Sequence, residues 1–75
     1  MQIDHHGTIY RTIRASDLQR DGMSLELQHG DETVAEVFYS DITREFSISS
    51  FAPAIPLDVI EQLIAISKKT LPPDP

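Results

Sequence analysis

Met23-Ser24-Leu25-Glu26-Leu27-Gln28-His29-Gly30-Asp31-Glu32-Thr33-Val34-Ala35-Glu36-Val37-Phe38-Tyr39 is the stretch from which the fold is read. From Met23 to Gln28 the residues alternate strictly. Met23, Leu25 and Leu27 fall on one side and Ser24, Glu26 and Gln28 on the other, as in a half-buried antiparallel strand. His29-Gly30-Asp31-Glu32 carries hairpin-turn chemistry, and the run from Thr33 to Tyr39 is rich in the β-branched and aromatic residues that favour strands. This second strand has two apolar faces, so the register must choose between them. A loop with an odd number of residues, such as Gly30 to Glu32, pairs Leu27 with Ala35, Leu25 with Val37 and Met23 with Tyr39. An even loop sets Glu36 opposite Leu25 and buries an unpaired carboxylate, so the odd register is expected.

Counting outward extends the sheet. With Asp41-Ile42-Thr43-Arg44 as a turn, Tyr39 pairs with Phe46 and Val37 with Ile48, which places Phe46 and Ile48 in the core. Upstream, Thr8-Ile9-Tyr10-Arg11-Thr12-Ile13-Arg14 reads as a strand in which Ile9 and Ile13 share a face, and Arg11 between them suits a sheet edge. Residues 15–21 read as a loop closed by Asp21-Gly22, and residues 1–7 as a polar, flexible leader ending in Gly7.

A helix is expected over 56–71. Pro56 suits a first helical position, Asp58 and Glu61 sit where the helix dipole favours anions, and Lys68 and Lys69 sit where it favours cations. Leu57, Ile60, Leu63, Ile64 and Leu71 recur at helical spacing, with Val59 and Ile66 widening the stripe. Pro72-Pro73-Asp74-Pro75 is expected to be a loose tail. The fold class is therefore α+β: an antiparallel meander of three to four strands over residues 8–51, then one C-terminal helix. That helix is expected to pack on the sheet face carrying Leu25, Leu27, Val37 and Phe46, with the whole chain, 1–75, forming one small domain.

Composition narrows the function. The chain has 75 residues, with 6 Lys+Arg against 12 Asp+Glu and a net charge of −6, and its 40% hydrophobic content excludes the signature of a disordered chain. It has no cysteine, which removes disulfides, Cys-based zinc sites, iron–sulfur clusters and thiol nucleophiles. The acidic balance and scattered arginines argue against nucleic acid and anionic membranes as partners. No segment has the roughly 20 apolar residues of a membrane span, and Met1-Gln2-Ile3-Asp4-His5-His6 lacks the form of a signal peptide, so a cytoplasmic protein is expected.

No Gly-x-Ser-x-Gly elbow, phosphate-binding glycine loop or His-Glu-x-x-His pair occurs, and a chain this small encloses little pocket volume, so no enzyme activity and no cofactor are expected. Asp4, His5 and His6 are metal-ligand types, but adjacent ligands on a flexible terminus make a poor site, and no metal is assigned to them. What the register leaves over is an open sheet face. Val34, Phe38 and Phe51 point there, with Tyr10 if the first strand joins on that side, rimmed by Ser24, Glu26, Glu36, Ser47 and Ser49. The reading that follows is a non-enzymatic interaction module that binds a second copy, as a homodimer, or another protein through that face. The alternative is an acidic inhibitor or immunity-type protein that neutralises a basic toxin or enzyme, drawn to it by charge.

Overall fold

In the computed structural model, which describes residues 1–72, the alternating stretch forms two of the strands of a five-stranded antiparallel meander. The strands are β1 (Gln2–His5), β2 (Thr8–Asp17), β3 (Gly22–His29), β4 (Glu32–Ser40) and β5 (Phe46–Ser50), side by side in chain order and followed by one helix, α1 (Leu57–Thr70). The helix lies on one face of the sheet and packs against β1, β3 and β4. No helix among the described residues is long and apolar enough to cross a membrane. The tail expected over 72–75 lies, from residue 73 onward, outside the described residues.

The central hairpin has the expected pairs, Leu27 with Ala35, Leu25 with Val37 and Met23 with Tyr39. The route to that register differs from the expected one. The tip is the two-residue loop Gly30-Asp31, because His29 pairs with Glu32 and Gln28 with Thr33. The odd residue enters one step later, as a β-bulge at Val34 opposite the Leu27/Gln28 step. Thr33 therefore stays on the side of Gln28 and Glu26, where the Gln28 amide donates to Thr33 Oγ1 at 2.6 Å and to Glu26 Oε1 at 3.0 Å. Val34 turns instead into the core, 6% exposed, so its assignment to the open face is corrected by the bulge.

Residues 1–7 are not a leader. Ile3 alternates with Gln2 and Asp4, pairs with Tyr10 across β1 and β2, and is fully buried. The turn between these strands is His6-Gly7, with φ of 50° and 84°, the positive values that a tight primed hairpin turn needs at both positions. Because Ile3 and Tyr10 belong to the same buried cluster as Leu25 and Leu27, Tyr10 lies beneath the helix, 9% exposed, and not on the open face. Ile9 and Ile13 do share a face, and it is the opposite, solvent-facing one. β2 is interior to the sheet and continues through Ala15, Ser16 and Asp17, which pair with Ser24, Met23 and Gly22.

The buried stripe of the helix is Val59, Leu63 and Ser67, continued by Leu71 just past its end, each four residues from the last and flanked by Ile60 and Ile66. Leu57 and Ile64, expected inside, are exposed. The stripe rotates because Ser67 takes a core position: its hydroxyl donates to the Leu63 carbonyl at 2.6 Å, with the Ile64 carbonyl 3.0 Å away, so the polar atom is satisfied without a partner outside the helix. Pro56 sits just before the first turn, where its carbonyl accepts from the amides of Val59 and Ile60.

Leu63→Ala is expected to cost about 2–5 kcal/mol in chemical denaturation, and Leu57→Ala to change little. Similar losses at both positions would show that the buried stripe is misplaced. Gly22 provides a second check, since a Cβ there would meet the Tyr39 carbonyl oxygen and come within 2.6 Å of Phe38 Cζ. Gly22→Ala should therefore destabilise the sheet by about 1–3 kcal/mol, and a variant as stable as the unaltered protein would contradict this packing.

Candidate functional site

The residues expected to form an open contact face, Tyr10, Val34, Phe38 and Phe51, do not form one in the structure. Tyr10 and Val34 are core residues on the helix side. Phe38 does lie on the other side of the sheet, paired with Ser24 and Ser47, but it is half-buried. The guanidinium of Arg20, from the β2–β3 turn, sits 4.2 Å above its ring centroid. Phe51 follows β5, its amide donating to the Val34 carbonyl at 2.9 Å, and is 61% exposed. Ser24, expected on the rim, is buried, with its hydroxyl directed at the Ala15 carbonyl.

Arg20 organises this side. It pairs with Asp17 Oδ2 at 2.5 Å through Nε and with Glu36 Oε1 at 2.9 Å through Nη2, while its own amide donates to Asp17 Oδ1. The side-chain hydrogen bond from Arg20 is the largest influence holding the Asp17 carboxyl below its ordinary value of 3.8, and the same bond raises the Arg20 guanidinium. The sequence signal was present in Asp17-Leu18-Gln19-Arg20, whose ends meet across one turn, but the reading of 15–21 as loop hid it. The result is a covered aromatic ring bounded by a cation and two carboxylates.

Exposed apolar side chains occur on both sides of the sheet, Ile9 and Ile13 on the far one, and those that line a groove lie on the helix side at the β5 edge. β5 is placed by the turn Asp41-Ile42-Thr43-Arg44: Ser40 Oγ accepts from the amides of Ile42 and Thr43, Arg44 N–H donates to the Ser40 carbonyl at 2.8 Å, and Arg44 has φ 60°. From there Tyr39 pairs with Phe46 and Val37 with Ile48, as expected, and the Tyr39 and Phe46 rings lie 4.9 Å apart. Yet Phe46 is 36% and Ile48 47% exposed, because the helix packs over β1, β3 and β4 and stops short of covering the last strand. Ile64, 37% exposed, faces them from the helix.

Between these walls runs a groove of about 190 Å³ lined by Val37, Phe46, Ser47, Ile48, Ile64, Ser67 and Lys68. Its lining is almost wholly apolar, with Lys68 the one charged group among the described residues. Ser67 makes it possible: a larger apolar residue at this buried helix position would fill the space toward Val37. With no carboxylate or imidazole among its described lining residues, the groove offers shape and apolar area for binding. Sequence reasoning placed Phe46 and Ile48 on the correct face but not their exposure, since strand pairing does not say where a helix ends its cover.

The chain matches no protein-family model, no curated protein and no solved structure. Asp4, His5 and His6 have local roles at the β1–β2 turn, where Asp4 Oδ1 accepts from the Gly7 amide at 3.0 Å and the two imidazoles meet edge to face at 4.4 Å. Among the described residues, no three His, Asp or Glu side chains gather in a metal-binding cluster.

Arg20→Ala is expected to lower the melting temperature at pH 7 modestly and to free the Phe38 ring. The part of the difference due to Asp17 is complete above pH 3.8, because its folded-state carboxyl is held lower, and fades as the pH falls below that value. Melting curves of both proteins from pH 7 to pH 2 measure this; a difference that widened on acidification would contradict the ion pair.

Proposed function

We propose that this protein is a cytoplasmic, non-enzymatic interaction module whose contact surface is the β5 edge with its adjoining groove, used to bind a second copy or another protein. The observation that carries the reading is the side-by-side exposure of Phe46, Ile48 and Ile64 next to a strand with one unpaired side. Scattered apolar residues on a surface are ordinary, whereas three that line one concave strip beside a free strand edge form a contiguous patch. The contact surface is thereby moved from the far face of the sheet to the helix side.

Ile64→Glu tests the reading, because Ile64 is exposed on the helix and can be altered without opening the core. Burial of such a side chain against a partner contributes about 1.5–3 kcal/mol, so the variant should lose at least about tenfold in association while keeping its circular dichroism and melting temperature. The native mass of the protein in gentle extracts of its own host, against that of Ile64→Glu, gives the answer. Assembly unchanged by the substitution, or an unaltered protein found only as a single chain of 8.4 kDa, would overturn the proposal.

A further inference from the structure

We infer that the β5 edge pairs with the β5 edge of a second copy of this chain, antiparallel, about a twofold axis through Ile48. The inference rests on the reading of this edge as a contact surface and gives it an occupant and a register.

The backbone sets the register. At one end of the β4–β5 ladder Ser40 N–H donates to the Glu45 carbonyl at 3.0 Å, and beyond the other end Phe51 N–H donates to the Val34 carbonyl at 2.9 Å. Antiparallel ladders alternate bonded and non-bonded pairs, so Phe38/Ser47 and Glu36/Ser49 are the bonded pairs between them, and Tyr39/Phe46, Val37/Ile48 and Ala35/Ser50 are the non-bonded ones. The N–H and C=O groups of Phe46, Ile48 and Ser50 therefore point away from β4, to the free edge. A twofold axis at Ile48 sets Ile48 opposite its own copy and Phe46 opposite Ser50, so each outward donor meets an outward acceptor. An axis at Ser47 or Ser49 has the same parity but leaves Ser50 or Phe46 of each strand without a partner in the other.

The side chains agree with that register. Phe46-Ser47-Ile48-Ser49-Ser50 contains no charge and no proline, the usual devices that keep sheet edges apart, whereas the opposite edge, β1, carries Asp4 and His5. Each large ring, Phe46, falls beside a small Ser50, and Ser47 faces Ser49 on the other side of the sheet. Glu45 falls opposite Phe51, so the nearest acidic residue does not meet its copy. Because the axis is perpendicular to the sheet, both helices lie on the same side and the two apolar grooves meet at Ile48. Each copy carries −6, so pairing works against net repulsion and strengthens with ionic strength, the reverse of charge-driven binding.

Sedimentation equilibrium of the purified protein and of Ser50→Pro is the decisive experiment. Ser50 directs its N–H outward and does not line the groove, so proline there spares the β4–β5 ladder and blocks pairing across the edge. It also removes one exposed local bond, from the Ser50 hydroxyl to the Ala52 carbonyl, whose loss alone is reproduced by Ser50→Ala as a control. The unaltered protein is expected at twice 8.4 kDa, and Ser50→Pro, still folded by circular dichroism, to self-associate about a hundredfold more weakly, since two symmetry-related bonds are lost. A cysteine-free chain also allows an unambiguous cross-link. Ser47 and Ser49 of different copies form a non-bonded pair with Cα atoms about 4.5 Å apart, so a mixture of Ser47→Cys and Ser49→Cys should give a disulfide-linked dimer that neither variant gives alone. A monomeric unaltered protein, or a dimer that survives Ser50→Pro, overturns the pairing. If that surviving dimer is lost in Ile64→Glu, the groove still binds and only the edge pairing falls; if it survives both, the contact surface itself is wrong.

Discussion

Leu25 facing Val37 and Leu27 facing Ala35 decide which side of the sheet is dry, and every other element takes its place from that pairing. The two-residue tip at Gly30-Asp31 would, in a regular ladder, bring the opposite side of β4 into the core and set Glu36 against Leu25. The bulge at Val34 prevents this by absorbing one residue. Thr33, Gln28 and Glu26 remain together on the solvent-facing side as a hydrogen-bonded group, while Val34 joins Ile3, Tyr10 and Ala35 under the helix. An unpaired buried carboxylate is costly, so a single inserted residue is the smaller perturbation.

The helix then has a fixed seat and a limited reach. Val59, Leu63, Ser67 and Leu71 bury it against β1, β3 and β4, which leaves the last strand outside its cover. The short side chain of Ser67, bonded to its own helix, leaves a furrow rather than a filled seam between Ile64 and the strand pair Val37/Ile48. Packing and the proposed contact surface thus share one residue: Ser67 is buried in the helix stripe and also lines the groove.

Much of this architecture was legible in the residues. The alternation in Met23 to Gln28, the turn Asp41 to Arg44 and the pairs from Leu27/Ala35 to Val37/Ile48 follow from period and parity alone. β1 was hidden because its apolar content is one isoleucine, and its turn is signalled by His6-Gly7 rather than a commoner asparagine–glycine pair. Tyr10 and Val34 were assigned to the wrong side for two different reasons. The face of β2 was read from Ile9 and Ile13 without the pairing that β1 imposes, and a bulge shifts parity without changing the pairs around it. Ser67 carries no signal in a search for apolar periodicity. The groove depends on where the helix ceases to cover the sheet, a distance between elements that no local pattern encodes.

The two borders of the sheet differ in a way that bears on how far any assembly could grow. One border carries Asp4 and His5 in a strand of four residues, and the other is a neutral strand of five. A sheet adhesive along both borders would add copies without limit and become a fibre. One adhesive along a single border is exhausted after one union, because the twofold operation consumes the only sticky margin and turns the charged margins outward. A chain with such margins can leave a bare strand in water without courting polymerisation.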